Sequence, residues 1–234
     1  IDKNNIERLC IAMQIKTFSY RFAEEILQHQ RYKFAYDELI QVCRDCPIPI
    51  YPDKSAKQKN KDVIQQLMNS YFLKQFENLG WETEPLATPD NYEDALRSDF
   101  RKTFFDEKNN KLITIQIEVE FGNVASSYRN YFKFQLSFAN ALTDICILIV
   151  PSQHLSVRID SGVSNFEKAC REIPSAKLSL TVPVLVIGLF EDVESEWNVK
   201  EIEKNLKILK GSSKNIMEQH YNIVNEYIKN IHHK

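Results

Sequence analysis

The sequence lacks any apolar run long enough to cross a membrane, and neither acidic nor basic residues are in large excess. Its 234 residues carry a formal net charge of −2. A transmembrane helix needs about 20 consecutive apolar residues, so we expect no membrane association. The near-neutral composition predicts no polyanionic partner by itself, and any basic surface must be local. The first ten residues, IDKNNIERLC, are polar and do not resemble a signal peptide.

Cysteines are few and show no disulfide or zinc pattern. The chain has 5, an odd number, and only Cys43 and Cys46 lie close together. No second pair at ligand spacing accompanies them, so a zinc or redox site is the less favoured interpretation. We expect free thiols in a reducing compartment, with Cys43 and Cys46 buried near a helix end.

Hydrophobic periodicity predicts helices and strands in alternation along the chain. Helices are expected at 4–42, 62–79 and 124–141, and in a lysine-rich tail from about residue 198. Strands are expected at 96–105, 111–121, 143–150 and 181–190. Pro47, Pro49 and Pro52 end the first helical region, and Gly80 is a suitable C-terminal stop for the second.

The order of these elements predicts an α/β fold with a central mixed β-sheet flanked by helices, and with extra helices at both termini. The two strands before residue 122 form an antiparallel hairpin, and the helix at 124–141 crosses over to a parallel strand. The apolar runs TDICILIV and TVPVLVIGLF are typical of central strands covered on both faces. We expect a single domain, 1–234, made of a helical annex (1–61), a core (62–192) and a helical C-terminal segment (193–234).

The stretch IQIEVEFGN, residues 115–123, places two carboxylates on one face of an otherwise apolar strand. Side chains alternate along a strand, so Ile115 and Ile117 share the core face whereas Glu118 and Glu120 share the other. Acidic residues are poor strand formers, and like charges two residues apart on a strand repel. These two glutamates therefore need a partner that compensates their charge.

Folding the hairpin brings Asp99 to the same face in either of two registers. With a four-residue loop inside 106–111, Asp99 lies opposite Glu118; with a two-residue turn at 109–110, it lies opposite Glu120. Cross-strand neighbours are about 5 Å apart and diagonal ones about 7 Å apart. Both registers predict three carboxylates at one end of the hairpin.

Three converging carboxylates repel one another unless a cation lies among them. Oxygen ligands of this kind suit Mg²⁺, which activates water and stabilises charge on a phosphoryl group. The alternative is a solvated strand face on which Glu118 and Glu120 pair with Arg101 or Lys102. The pattern alone leaves both interpretations open.

The same residues resemble the active-site pattern of the PD-(D/E)xK nucleases. Asp99-Phe100 lies on one strand, and Glu118-Val119-Glu120-Phe121-Gly122-Asn123 follows on the next. The second segment is more narrowly similar to the BglII/BstYI/BamHI group of type II restriction endonucleases, as is PVLVIGLFED at 183–192. The resemblance covers about residues 62–192. It departs from the superfamily pattern at Ser98, where that pattern has proline, and at Glu120, where it has lysine.

This resemblance implies a restriction-endonuclease-like core and Mg²⁺-dependent hydrolysis of phosphodiester bonds in double-stranded DNA. The target would be a short palindromic site, with GATC as a candidate core. Asp99, Glu118 and the backbone carbonyl of Val119 would bind Mg²⁺, and Glu120 would orient or deprotonate the attacking water. An accessory acid is expected on or after the preceding helix, and its candidates are Glu77, Glu82 and Glu84.

The resemblance also points to DNA contacts after the catalytic strand. Asn123 is at a position from which the group reaches target bases, and polar side chains at a helix start suit phosphates or base edges. Those at the start of the next helix are Ser126, Ser127, Arg129 and Asn130. The long excursion at 151–180 is the main candidate for a recognition loop, although 166–173 is expected to form a short packing helix. The polar residues of the excursion are Ser152, Gln153, His154, Arg158, Asp160, Ser161, Ser164 and Asn165.

Lysines add a further set of candidates. Those at 54, 57, 59 and 61 could clamp backbone phosphates. Those at 200, 204, 207, 210 and 214 recur at a helical spacing that is typical of a solvated face.

A palindromic site implies a two-fold homodimer. The resemblance further implies a cognate DNA methyltransferase and a cytoplasmic location in a bacterial or archaeal cell. Two alternatives remain: a DNA repair or mobile-element nuclease of the same superfamily, and a non-catalytic DNA-binding module.

Overall fold

The computed structural model describes residues 13–176, 179–192 and 195–232. The strands are β1 (Gln14–Tyr20), β2 (Ile48–Ile50), β3 (Glu82–Thr83), β4 (Phe100–Phe105), β5 (Lys111–Val119), β6 (Ile145–Pro151), β7 (Val184–Phe190) and β8 (Glu196–Asn198). The helices are α1 (Ala23–Gln28), α2 (Lys33–Arg44), α3 (Gln65–Asn78), α4 (Val124–Ala139), α5 (Gln153–Ile159), α6 (Phe166–Ser175), α7 (Leu206–Lys210) and α8 (Lys214–His232). Within the described ranges, no helix is both long and apolar enough to cross a membrane.

Six strands form one sheet in the order β1-β7-β6-β5-β4-β3. β5, β6 and β7 are parallel, whereas β1 and β4 pair antiparallel with their neighbours. The predicted mixed central sheet is therefore confirmed. β6 is buried along its whole length, as expected for a central strand with helices on both faces of its sheet.

The two faces of the sheet pack against different helices. One face places Ile115 and Ile117 in a core shared with Tyr71 of α3 and Val224 of α8. The opposite face places Leu148 of β6 beside Phe134 of α4. Glu118 pairs in register with Leu148, so it lies on the face that α4 covers.

β4 and β5 adopt the first of the two predicted registers. Phe100 pairs with Ile117 and Thr103 with Thr114, before a bulge near Phe105. Extension of this register by one residue places Asp99 opposite Glu118.

The predicted helix over 4–42 is wrong at its centre. Gln14–Tyr20 forms β1, which pairs with β7 along its whole length, and only α1 and α2 are helical; residues 4–12 of that prediction lie outside the described residues. The segment IKTFSY is rich in β-branched and aromatic residues, which favour a strand. The open edge of β7 supplies hydrogen-bond partners to this β-prone segment. A strand of the main sheet thus comes from the region predicted to be a helical annex.

α3 confirms the predicted helix at 62–79 and its stop at Gly80. Gly80 has φ +77°, a left-handed conformation that glycine adopts without steric cost. Its N–H donates to the carbonyl of Glu77 (3.0 Å), and the N–H of Trp81 donates to the carbonyl of Phe76 (2.9 Å). This Schellman arrangement ends α3 and turns the chain towards β3.

Aromatic side chains connect α3 to the two segments that carry the predicted acidic residues. The ring centroids of Phe76 and Phe100 are 4.8 Å apart, and those of Phe72 and Phe121 are 6.0 Å apart. Phe100 directly follows Asp99, and Phe121 directly follows Glu120. The helix therefore holds both backbone segments by packing.

The excursion and the tail agree with the predicted elements apart from small changes. The excursion contains α5 and α6, of which α6 is the predicted packing helix. The tail begins with β8 and a single 3₁₀ turn, Val199–Glu201, before α7 and α8. Cys43 and Cys46 are buried free thiols, and burial raises the pKa of both, which opposes the thiolate that metal or redox chemistry requires.

Candidate active site

The acidic end of the β4–β5 hairpin is buried. Glu118 is 1% exposed and Glu120 is 6% exposed. Arg101 and Lys102 bind elsewhere: Arg101 pairs with Glu82, and Lys102 pairs with Glu38. The alternative of a solvated strand face is therefore wrong.

Asp99 joins this cluster through the backbone of the neighbouring strand. Its Oδ2 accepts a hydrogen bond of 2.7 Å from the N–H of Val119. Asp99 also raises the pKa of Glu118 and of Glu120, as expected for like charges within short range. The hairpin arithmetic thus correctly predicts that three carboxylates converge.

Glu118 makes an ion pair with a residue that the sequence interpretation missed. Its Oε2 is in short contact with the ammonium of Lys133, which projects from α4 and has a side chain only 9% exposed. The other oxygen, Oε1, is buried without a hydrogen-bond partner. A lysine among the core-facing positions of α4, next to Phe134, was the available signal for this partner.

Glu120 is held by two hydrogen bonds. Its Oε1 accepts from the N–H of Gly122 at 2.6 Å, and its Oε2 accepts from the side-chain amide of Asn130 at 3.0 Å. A Cβ on Gly122 would lie 2.7 Å from Oε1, so only glycine lets the carboxylate fold back onto this backbone. The orientation of Glu120 is therefore determined by Gly122 and by α4.

Burial dominates the electrostatics of the cluster. It raises the pKa of Asp99 and Glu120, and it raises the pKa of Glu118 to about 8 with an added contribution from Asp99. The ammonium of Lys133 opposes these shifts at all three carboxyl groups. One ammonium does not offset the charge of two buried carboxylates and a half-buried one, so a further cation would stabilise the cluster.

The donor set fits a hard divalent cation. Asp99 and Glu118 supply carboxylate oxygens, Glu118 Oε1 lacks a partner, and the carbonyl of Val119 follows directly on the strand. Among the described residues, no group of three or more His, Cys, Asp or Glu side chains is arranged to hold a metal ion. Mg²⁺ commonly uses one or two carboxylates and keeps several waters, so the smaller donor set suffices.

The three candidates for an accessory acid have different surroundings. Glu77 pairs with Lys74, and Glu82 pairs with Arg101. Glu84 raises the pKa of Asp99, and its N–H donates to the carbonyl of Asp99 at 3.0 Å. Glu84 also has φ +50°, an uncommon value for a residue other than glycine. Of the three, Glu84 is the one connected to the cluster.

The predicted DNA contacts at the start of α4 divide into two groups. Asn123 caps the helix, its Oδ1 accepting from the N–H of Ala125, and it is exposed together with Ser126 and Arg129. Ser127 and Asn130 are buried, because they lie on the packing face of the helix. These two therefore present no free surface to DNA, and Asn130 instead holds Glu120.

The candidates at the start of the excursion are also divided. Ser152 is a buried cap of α5, its Oγ accepting from the N–H of Leu155, whereas Gln153 and His154 are exposed. Arg158 is not free, because its guanidinium binds three carboxylates within 2.9 Å. These are Asp62, Glu191 and Glu196, and His154 also contacts Glu191. Ser152 and Arg158 thus act within the fold, in contrast to the prediction.

The second half of the excursion is hydrogen-bonded to the segment that connects β5 to α4. The N–H of Val124 donates to the carbonyl of Gly162 at 2.9 Å, and the N–H of Ser164 donates to the carbonyl of Gly122 at 3.1 Å. Ser164 is buried, whereas Asp160 and Ser161 are exposed and Asn165 caps α6.

Two of the four lysines predicted to clamp phosphates make hydrogen bonds within the protein instead. Lys54 donates to the carbonyls of Val63 and Ile159, and burial lowers its pKa to about 8. Lys61 is buried against Asp160 and Ser161, each at 2.6 Å. Lys57 and Lys59 are exposed. The tail lysines at 204, 207, 210 and 214 are exposed, as the solvated-face interpretation predicts, and Lys200 is partly covered.

A mixed sheet whose antiparallel hairpin carries a buried acidic end is the arrangement expected of a PD-(D/E)xK nuclease. A family model described as restriction endonuclease BglII/BglIII matches residues 15–189, well over half of the chain. The chain therefore belongs to the BglII/BglIII family of type II restriction endonucleases.

Solved structures agree on the fold. The crystal structure of BglII complexed with a DNA 16-mer has a TM-score of 0.60 and 18% sequence identity, over 77% of this chain and 78% of that one. The crystal structure of free BglII has a TM-score of 0.54 and 17% identity, over 77% and 81% of the two chains. No curated protein sequence matches the chain.

Substitution of Gly122 by alanine should displace Glu120 while leaving the fold intact. The added methyl group would meet the flexible end of the Glu120 side chain rather than backbone. We expect DNA cleavage by Gly122→Ala to fall at least about tenfold, because Glu120 leaves its position. The free energy of unfolding in urea should change by less than about 1 kcal/mol.

Gly80→Ala provides the opposite control. A methyl group at position 80 would meet no other atom, but the backbone there has φ +77°, which strains any residue other than glycine. Gly80→Ala should therefore cost about 1 kcal/mol of stability and leave cleavage unchanged. Wild-type cleavage by Gly122→Ala would contradict the importance of the Glu120 orientation.

The raised pKa of Glu118 should make the stability of the metal-free chain depend on pH. Its carboxyl group titrates at about 8 when folded, against an ordinary value of 4.5. The resulting stabilisation is complete below the unfolded pKa and is lost as the pH rises through the folded one. In EDTA, we expect the melting temperature of Glu118→Gln to rise relative to the wild type as the pH increases from about 4.5 to about 8, and the difference to stay level above that. The exposed Glu226→Gln should follow the wild type, and a parallel curve for Glu118→Gln would refute the shift.

Proposed function

We propose that the chain is a Mg²⁺-dependent type II restriction endonuclease that hydrolyses phosphodiester bonds within a short palindromic site in double-stranded DNA. GATC is the candidate core of that site. The proposal rests on the meeting of the buried Glu118 and Glu120 with the half-buried Asp99 at the end of one hairpin. Such a concentration of negative charge lowers the stability of the folded state, and residues that do so are expected at functional sites.

Metal binding would be the task of Asp99 and Glu118, with the Val119 carbonyl as a third ligand. Bound Mg²⁺ would supply Lewis-acid chemistry, stabilising charge on the phosphoryl group and lowering the pKa of water. The unpartnered Oε1 of Glu118 supports this assignment, because a buried carboxylate oxygen without a donor is costly.

Glu120 would orient the attacking water and accept its proton. Hydrogen bonds from Gly122 and Asn130 fix the carboxylate in one orientation, and each oxygen keeps a further lone pair. Burial raises its pKa, which makes Glu120 a stronger base than an exposed glutamate.

DNA would lie across the end of the sheet at which β5 ends and α4 begins. Asn123, Ser126 and Arg129 are exposed there and suit base edges and phosphates. A groove of about 360 Å³ next to the excursion is lined by amide side chains, including Gln58, Gln153 and Asn165. Amides suit adenine edges, and the exposed Lys57 and Lys59 are close in sequence to this groove.

Recognition of a palindrome would require two copies of the chain related by a two-fold axis. The outer side of α4 supports such pairing, because Tyr128 is 53% exposed and Phe132 is 59% exposed. Large exposed aromatic residues one helical turn apart are typical of an interface. We further propose that the chain acts as a single domain, in the cytoplasm, with a cognate methyltransferase that protects host DNA.

Cleavage of plasmid DNA tests the activity. With Mg²⁺ we expect discrete fragments, and sequencing of their ends would give the recognition site and the overhang. Asp99→Ala and Glu118→Ala should each reduce the rate at least about a hundredfold, because the metal loses a ligand. Glu77→Ala, which removes an acid that Lys74 binds on the surface, is the matched control.

Other outcomes would favour the other two functions. Cleavage restricted to branched or damaged DNA would indicate a repair or mobile-element nuclease. Binding without cleavage in either Mg²⁺ or Ca²⁺ would indicate a non-catalytic DNA-binding module. With Ca²⁺, Arg129→Ala should weaken DNA binding about tenfold and reduce its dependence on salt, and unchanged binding would remove Arg129 from the interface.

Sedimentation velocity tests the homodimer. The wild type should sediment as a dimer at micromolar concentration, and Phe132→Glu as a monomer, because a charge would be buried in the interface. A monomeric wild type, free and on DNA, would contradict the proposal.

A further inference from the structure

Lys133 occupies a position where a charged side chain needs an explanation. It lies on the face of α4 that packs against the sheet, and its side chain is 9% exposed. Its ammonium contacts Glu118, whose side chain is 1% exposed. Buried ion pairs contribute little net stability, since desolvation offsets their attraction. Packing alone would therefore be served as well by an apolar residue at 133.

The ion pair with Lys133 uses only one of the two carboxylate oxygens of Glu118. Oε2 is occupied by Lys133, whereas Oε1 is buried and has no hydrogen-bond partner. Lys133 also acts electrostatically on Asp99 and Glu120, not only on the residue that it touches. When all three carboxylates are ionised, the cluster with Lys133 carries two negative charges, which one divalent cation balances.

We propose that Lys133 is the resident counter-ion of the carboxylate cluster. It holds Glu118 in place through Oε2 when no metal is bound, and its positive charge lowers the affinity of Asp99 and Glu118 for a divalent cation. The inference rests on the proposed function for the metal site itself. Its consequence is that a metal ion binds weakly to the free protein and more tightly once a DNA phosphate adds negative charge, so that metal and DNA bind cooperatively.

Calcium binding to the DNA-free protein tests this role. Ca²⁺ is titrated calorimetrically into metal-free wild type and into Lys133→Met, which keeps most of the side-chain volume without the charge. We expect the variant to bind Ca²⁺ about tenfold more tightly, since one repulsive charge at short range is removed. Lys133→Arg, which keeps the charge, should bind like the wild type. Lys229→Met, which removes an exposed lysine from α8, should also leave the affinity unchanged.

Thermal unfolding separates this role from a merely structural one. In EDTA at about pH 9, where Glu118 is ionised, Lys133→Met should melt at a lower temperature than the wild type, because Glu118 loses its counter-ion. Saturating Ca²⁺ should raise its melting temperature more than it raises that of the wild type. An equal loss of stability with and without Ca²⁺, together with an unchanged or weaker Ca²⁺ affinity, would overturn the proposal. Absence of Ca²⁺ binding by both proteins would also overturn it.

A double variant covers the case in which Lys133→Met does not fold. Glu118→Gln with Lys133→Met removes both charges and should fold, and it should bind Ca²⁺ more tightly than Glu118→Gln alone, because the repulsive ammonium next to Asp99 is gone. An affinity equal to or weaker than that of Glu118→Gln alone would show that the charge of Lys133 does not act on the metal, contrary to the proposal. These measurements do not depend on DNA cleavage. A wild type that cuts plasmid DNA but whose Ca²⁺ affinity does not depend on Lys133 refutes only the counter-ion role. A wild type whose Ca²⁺ affinity depends on Lys133 but that does not cut DNA refutes only the nuclease function.

Discussion

Negative charge held away from water is the constraint on which the rest of this structure depends. Asp99, Glu118 and Glu120 would repel one another wherever they met, and burial increases the cost. Each nearby polar group reduces that cost in a particular way. The Val119 N–H binds Asp99, Lys133 binds Glu118, and the amides of Gly122 and Asn130 bind Glu120.

The framework around the cluster limits how far these groups can move. The register of β4 against β5 determines which residue faces Glu118, and a slip of one residue would turn Asp99 to the other side of the sheet. Aromatic rings of α3 hold the backbone beside Asp99 and beside Glu120. Gly80 ends α3 in the conformation that leads the chain back to β3. Local chemistry at the site thus relies on packing several residues away.

The sequence predicts the cluster because strand geometry is local. An alternation of period two and a short hairpin loop suffice to bring Asp99 to Glu118, without knowledge of the remaining fold. The strand β1 was not predictable in this way, because Gln14–Tyr20 becomes a strand only through the edge of β7, about 170 residues further along the chain. The ion pair of Lys133 with Glu118 was not predictable for a related reason. It depends on how α4 packs on the sheet, which hydrophobic periodicity does not reveal. The polar side chains of Ser127 and Asn130 are typical of an exposed surface, whereas their helical phase places them on the packing face of α4, where the structure has them.

α4 carries both the proposed DNA contacts and the groups that hold the carboxylates. Asn123, Ser126 and Arg129 are exposed at its start, whereas Asn130 and Lys133 are buried and contact the carboxylates. An insertion of one residue between Arg129 and Asn130 would rotate these two groups by about 100° relative to each other. If the exposed residues contact DNA as proposed, their substitution can change the DNA sequence that is read, whereas a change in the length of the helix would also displace Asn130 and Lys133 from the carboxylates.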